Sequence, residues 1–375
     1  MIEFDLGGLV GLTSELSDPS AASSLAALMD PYSPLSDQRG SAPSVALIEL
    51  RRPELTELQL RTVDGLVTGW DGSVIHGRIG RGWVSIPDAV REEPARIGIE
   101  RGASIGSVVR QVARPALQLR CLASGAVAIH AAAVVHDGGA VLVAGWSETG
   151  KTETALALME NGARFLTDKW TLVAPSASTA TPFPISVGVR RWVLPYLPSL
   201  RAALPARARL QMAVAGTAGA VSSPIRRAQA HRGGIVREGL ERAVALADRA
   251  ALSPREIARA YGHEPICGPV PLRLVVALRT VPGTDVSAAA ATNPPVLARR
   301  IAVSAQAERD TYWAYRRRAA YSAGRGKTEA DDVLRREVEL IRSVLGAVPV
   351  VEVSAPFPID PRRVAAAIEP WLRAG

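Results

Sequence analysis

The sequence predicts an α/β protein, with a small β-rich unit preceding a larger core of alternating strands and helices. Three observations lead there. Over residues 126–173 two apolar runs, AVAIHAAAVVH and AVLVAGW, precede a helical segment and a further apolar run, ARFLTDKWTLV. Leu272–Arg279 and Val348–Val353 are apolar runs of strand length among long helical patterns. Residues 44–100 carry short apolar runs cut by turn signals, with no helical spacing between them. A chain of 375 residues can hold two or three domains, and the boundaries fall at 1–44, 45–125 and 126–375.

Residues 1–44 are rich in Ser, Ala and Pro with little periodicity, and predict a loose arm. SVALIEL, GLVTGWDGSVIHGRI, GWVSI and ARIGIE predict four or five mostly antiparallel strands. Ser104–Leu122 has helical spacing, interrupted by Pro115. Asp137-Gly138-Gly139 predicts a hairpin turn, and Thr152–Asn161 a helix closed by Asn161-Gly162. The next strand carries Asp168 where it ends or turns. Residues 174–265 are less patterned: strand or loop over Pro182–Leu197, basic helix over Leu200–Ala215, loop over 222–234, helix over Glu238–Tyr261. Helices follow over Pro295–Tyr321 and Ala330–Leu345. The closing helix over Asp360–Arg373 starts with a capping Asp and a Pro at its first position.

Hydrophobic residues at 47% and charged residues at 21% exclude wholesale disorder. Cys121 and Cys267 give neither a disulfide framework nor metal-ligand spacing; both read as buried packing residues in a reducing compartment. The N-terminus carries acids where an export signal needs a basic flank, and the longest apolar run, Cys121–Val135, is about 15 residues, short of a membrane span. A cytoplasmic protein without a membrane partner is expected. The net charge of +8 raises the question of nucleic acid, but 41 of the 44 basic residues are arginine, scattered along the chain. The densest stretch, Tyr312–Arg318, reads as a half-buried aromatic stripe beside a solvated basic face, so no nucleic-acid partner is expected. Gly324–Thr328 mimics the end of a phosphate loop, but no apolar strand leads into it.

The segment Gly145-Trp146-Ser147-Glu148-Thr149-Gly150-Lys151-Thr152 matches G-x4-G-K-[ST] between a strand and a helix. That context suits a phosphate cradle. Glycines let backbone N–H groups turn inward, the helix presents its positive N-terminus, Lys151 adds a point charge, and Thr152 offers a hydroxyl to Mg²⁺. Lysine occurs only at 151, 169 and 327, so it lands on a given position about one time in a hundred by chance. Glu153 reads as a macrodipole partner in the first helical turn. Arg190-Arg191 and the cluster Arg226, Arg227, His231, Arg232 read as solvated arginines, with the second able to close over phosphate.

From Ile129-His130-Ala131 through the loop, Lys-Thr-Glu-Thr-Ala-Leu, the Asn-Gly helix end and a strand ending in Asp168, the chain resembles the HPr kinase/phosphorylase family. The P-loop core of that family is shared with ATP-type phosphoenolpyruvate carboxykinases. The likeness covers Ala126–Val173 and is greatest to the serine kinase branch, which includes kinases tailoring lasso peptides. It implies an HPr-kinase-like fold, ATP and Mg²⁺ as cofactors, and phosphoryl transfer to a hydroxyl, serine above all, of a peptide, protein or small metabolite. Gly145, Ser147, Glu148, Thr149, Gly150, Lys151 and Thr152 would hold the nucleotide, Thr152 and Asp168 the metal. His130 would sit beside the reaction centre, and Asp168 would take the acceptor's proton, since an unassisted hydroxyl is a poor nucleophile. Relatives commonly assemble, so a homo-oligomer is among the expected states. The N-terminal unit could take a leader peptide by edge-strand addition.

The family carries two adjacent acids where this chain has Asp168-Lys169; Glu148 replaces a loop glycine and Trp146 lies inside the loop. Three arrangements remain open. Lys169 serves as a phosphate-binding charge, or Asp168 holds metal while another acid is the base, or the chain is a non-catalytic nucleotide-binding sensor or scaffold.

Overall fold

Two sheets organise the chain in the computed structural model, which describes residues 1–35, 42–53, 61–63, 66–71, 74–86, 94–176, 178–213, 248–322, 324 and 329–374. The first sheet contains β1 (Ile2–Asp5), β2 (Gly11–Ser14), β3 (Ser44–Glu49), β4 (Arg61–Val63), β5 (Leu66–Trp70), β6 (Ile75–Ile79), β7 (Gly82–Ile86) and β8 (Ala95–Ile99). Their order is β1-β2-β3-β8-β7-β6-β5-β4, with β2–β3 and β3–β8 parallel and the remaining pairs antiparallel. The expected loose arm is therefore corrected. Phe4, Leu6, Val10 and Leu12 are fully buried, and helix α1 (Pro19–Leu28), capped by Asp18, buries Leu25. Four-residue strands alternate too briefly to stand out against a Ser- and Ala-rich background.

Residues 105–120 form helix α2, with a π turn at Val109–Ala113. The turn lies just ahead of Pro115, which has no N–H to continue the regular ladder. This helix closes the first core together with Trp170, Phe183, Tyr312, Trp313 and Tyr315 from the second half of the chain.

The second sheet contains β9 (Val127–Ile129), β10 (Ala131–His136), β11 (Gly139–Gly145), β12 (Arg164–Thr167), β13 (Thr171–Ala174), β14 (Thr179–Pro182), β17 (Val270–Thr280), β18 (Ser287–Ala290) and β19 (Val350–Ala355). β10 and β11 form the expected hairpin, closed by Asp137-Gly138 between paired His136 and Gly139. β17 pairs in parallel with β11 on one side and β19 on the other, so three strands end at the same edge. Separately, β15 (Val187–Arg190) pairs with β16 (Arg249–Leu252).

Helices cover both faces. α3 (Lys151–Glu160) and the closing helix α9 (Pro361–Ala374) bury Leu156, Met159 and Ile368 against Val141, Val143 and Val276. On the other face α6 (Pro294–Glu308) and α8 (Ala330–Ala347) bury Leu297, Ile301, Ile341 and Val344 against Leu142 and Val275. This is a three-layer α/β arrangement. The long helix expected over Pro295–Tyr321 breaks at Arg309 into α6 and α7 (Asp310–Ser322). The aromatic stripe of α7, expected half-buried, is buried outright: Tyr312, Trp313 and Tyr315 pack into the first core.

Over 174–265, α4 (Pro198–Ala203) and a second helical stretch at 206–213 replace the single basic helix. The expected helix over Glu238–Tyr261 is corrected to β16 and α5 (Pro254–Ala260) in its described part. Pro254 explains the break: it opens α5 behind a Ser253 capping box. No helix among the described residues is long and apolar enough to cross a membrane.

Candidate functional site

Strand β11 delivers Gly145 to the sheet edge, and the chain turns through Trp146–Gly150 into α3. The turn requires its two glycines for different reasons, space at the first and backbone conformation at the second. A Cβ on Gly145 would lie 2.7 Å from Thr149 Oγ1 and 3.0 Å from the Leu278 carbonyl, and Gly150 has φ +90°. Glu148 adopts φ +60°, the left-handed conformation that a glycine would hold without strain, and its carboxylate accepts from Arg190 Nη2 at 2.7 Å. Lys151 points back into the loop, donating to the carbonyls of Gly145 at 3.1 Å and Trp146 at 2.6 Å. Burial disfavours its charge, only partly offset by Asp168 and Glu308, and brings its pKa down to about 8.

The facing wall is the short link between β12 and β13. The run read as one strand divides at Asp168-Lys169-Trp170, where Lys169 has φ +62° and Trp170 N donates to the Asp168 carbonyl. Asp168 is buried and accepts from Thr152 Oγ1 at 2.7 Å. Burial raises its pKa; the Thr152 hydrogen bond and the Arg249 charge oppose that rise. Arg249 comes from β16 and lies across Gly188, where even a methyl group would sit 1.7 Å from its Nε. Its charge also acts on buried Glu153, whose carboxyl is raised chiefly by burial. Glu153 lies in the first turn of α3, as expected of a macrodipole partner, and is also enclosed by the site.

Helix α6 supplies a third wall. Ser304 Oγ lies 2.7 Å from His130 Nδ1 and reaches the Gly145 carbonyl at 3.3 Å. One turn later Glu308 accepts from the Ser147 hydroxyl, pairs with Lys169 Nζ at 2.7 Å and stands 3.7 Å from His130 Nε2. Burial opposes ionisation of Glu308, but hydrogen bonds from Lys169 and Ser147 and the Lys169 charge outweigh it, bringing the carboxyl to about 2. His130 is buried against the Trp170 ring, centroids 5.4 Å apart. Burial and the Lys151 charge lower its pKa to about 3, so the imidazole is neutral at pH 7.

The sequence-predicted residues Gly145, Ser147, Glu148, Thr149, Gly150, Lys151, Thr152, Asp168 and His130 thus converge on one end of the sheet. Ser304, Glu308 and Arg249 complete the cluster and were not read from the sequence. Ser304 and Glu308 share one helix face at i, i+4 spacing, but nothing local ties that face to a loop some 160 positions earlier. Arg191 pairs with Asp248 instead. The cluster Arg226, Arg227, His231, Arg232 and the Gly324–Thr328 turn, Gly324 apart, lie outside the described residues. Cys121 is buried as expected, whereas Cys267 is exposed.

Among the described residues no group of three His, Cys, Asp or Glu side chains forms a metal cage. The oxygens of Thr152 and Asp168 nevertheless suit a magnesium ion, which needs only one or two protein donors when phosphates and water supply the rest. No known family model matches the chain, and no curated protein matches it.

Proposed function

We propose that the chain is an ATP-dependent phosphotransferase of the HPr-kinase-like type, moving the γ-phosphoryl group to a hydroxyl, serine above all, of a peptide, protein or small metabolite. The observation that carries this reading is the convergence of a glycine-rich loop, its lysine and a buried carboxylate bonded to the loop's own Thr152. Lys151 would leave the carbonyls of Gly145 and Trp146 for phosphate oxygens, beside the N–H groups opening α3. Mg²⁺, held by Thr152 and Asp168 with the phosphates, would neutralise charge on the transferring group. Asp168, its basicity raised by burial, accepts the acceptor's proton as that oxygen bonds the γ-phosphorus and the bond to the β–γ bridging oxygen breaks. Lys169, next in sequence and half-exposed, takes the first of the three arrangements, as a charge for the moving phosphoryl group. His130, neutral and tied to Ser304, positions α6 rather than exchanging protons.

One observation favours the reading without turnover. Glu308 engages both Ser147 and Lys169, and so ties up the cation that the moving phosphoryl group would need. Calorimetric titration with ATP, with and without Mg²⁺, separates the two readings. Micromolar, Mg²⁺-dependent binding that disappears in Lys151→Ala supports the phosphotransferase. Binding indifferent to Mg²⁺ supports a sensor, and no binding sinks both.

A further inference from the structure

The first sheet has a ligand-sized hollow of its own. β2, β3 and β8 are parallel neighbours and end at one edge of that sheet. Open α/β sheets bind their ligands outside such carboxyl ends. There a cavity of about 470 Å³ opens between the β2–α1 link, the β8–α2 link and the residues that follow β3. Its volume is that of a small-molecule site. Leu16, Leu50, Ile99 and Ile105 give it aliphatic surface, and six charged side chains complete the lining. None of the lining residues belongs to the phosphate loop, the β12–β13 link or α6.

The charges of the lining are not equally engaged. Asp18 accepts from Ser20 N at 2.9 Å as the cap of α1. Glu49 accepts from Ser17 N at 3.0 Å and from the Ser17 hydroxyl. Glu100 accepts from Trp83 N at 2.9 Å and lies 3.7 Å from Arg52 Nε. Each acid is thus committed to donors of the protein itself. Arg51 and Arg101 are exposed, and among the described residues neither has an ion-pair or hydrogen-bond partner. Exposed arginines are ordinary in this chain, but these two line a hollow whose acids are already occupied. We infer that the cavity binds a small carboxylate with an apolar body, its head held by Arg51 and Arg101 and its body laid on Leu16, Leu50, Ile99 and Ile105. The guanidinium fork matches a carboxylate in shape and gives paired, charge-assisted hydrogen bonds. A single negative charge suits the site better than two. Arg51, Arg52 and Arg101 balance Asp18, Glu49 and Glu100, so a phosphate dianion would meet the repulsion of three carboxylates with no surplus of cations to offset it. The assignment is independent of the phosphate loop and of what that loop binds.

Octanoate, octanamide and octyl phosphate test this on the full chain, with leucine and isoleucine methyl groups isotope-labelled for NMR. Octanoate is expected to bind with a Kd of about 1 mM or tighter. It should shift the methyl resonances of Leu16, Leu50, Ile99 and Ile105. Octanamide keeps the chain and lacks the charge, and should bind about tenfold more weakly. Arg51→Gln and Arg101→Gln should each weaken octanoate by about the same factor and leave octanamide unchanged. Both positions are exposed, so the variants keep the fold. Octyl phosphate binding more tightly than octanoate would overturn the choice of head group. Octanamide binding as well as octanoate, or octanoate indifferent to both arginine variants, would overturn the role of the arginines. No shift at the four methyl groups with about 10 mM octanoate would remove the site altogether.

Discussion

At Asp168 burial and ionisation compete, and the outcome sets what the carboxylate can do. A raised pKa makes a better base, and the hydrogen bond from Thr152 keeps it aimed at the loop. Asp168→Asn keeps the shape and removes the basicity. Transfer should fall by roughly 10²–10⁴-fold, with binding of ATP in the absence of Mg²⁺ changed far less. Parallel loss of ATP affinity, measured by calorimetry, would show that the carboxylate serves binding instead. Lys151 makes the complementary case. With its pKa lowered to about 8, the amine sheds its proton as pH rises through that value, whereas anion binding requires the cation. Nucleotide affinity should therefore be greatest below pH 8 and fall above it, toward tenfold per pH unit, with proton uptake on binding at pH 8.5. Binding without proton uptake at that pH, read from titrations in buffers of different ionisation enthalpy, would contradict the lowered value.

Helix α6 does at the element scale what no single residue does. Its first half walls a cavity beside the loop, and its last turn fastens the loop through Ser147 and the β12–β13 link through Lys169. Glu308, held ionised by those partners, repels an incoming phosphate. Glu308→Gln keeps a hydrogen-bonding side chain and removes the charge, so nucleotide affinity should rise about five- to tenfold. A fall in affinity would identify Glu308 as a ligand to the metal instead. This helix also marks the limit of what the sequence made legible. The elements with local signals stood out: the Asp137-Gly138 hairpin, the loop between strand and helix, the Asn161-Gly162 helix end and the core strand within β17. Asp168 was legible because it interrupts an apolar run. Glu308 was not, because an acid at the end of an arginine-rich helix looks like solvated charge until the fold brings it against Ser147. β1 and β2 were missed for a related reason: four residues give too little alternation, and β3, which pairs with β2, lies beyond α1.

At the scale of the whole molecule, the two sheets share side chains rather than merely adjoin. The first core includes Trp170, from the site's own link, and three aromatics of α7. Between them lies a buried ion pair: Arg309 at the α6–α7 break donates to Glu337 of α8 at 2.5 Å and sits 5.6 Å over the Trp170 ring. Burial raises the Glu337 carboxyl, and the Arg309 charge works against that rise. Such a pair contributes little compared with an apolar replacement, yet losing one partner leaves a buried charge uncompensated. Glu337→Leu should therefore destabilise the protein by about 3–5 kcal/mol, read from urea unfolding. The double variant Arg309→Met with Glu337→Leu should recover most of that loss. Because Trp170 also packs on His130, Glu337→Leu should lower nucleotide affinity too, although Glu337 lies outside the site. Full recovery of stability by the double variant without recovery of affinity would mean that Arg309 steadies the site directly through Trp170. Recovery of both would make the pair a device of packing alone. Loss of stability with nucleotide affinity unchanged would detach the buried pair from the site and leave the shared core without a functional role.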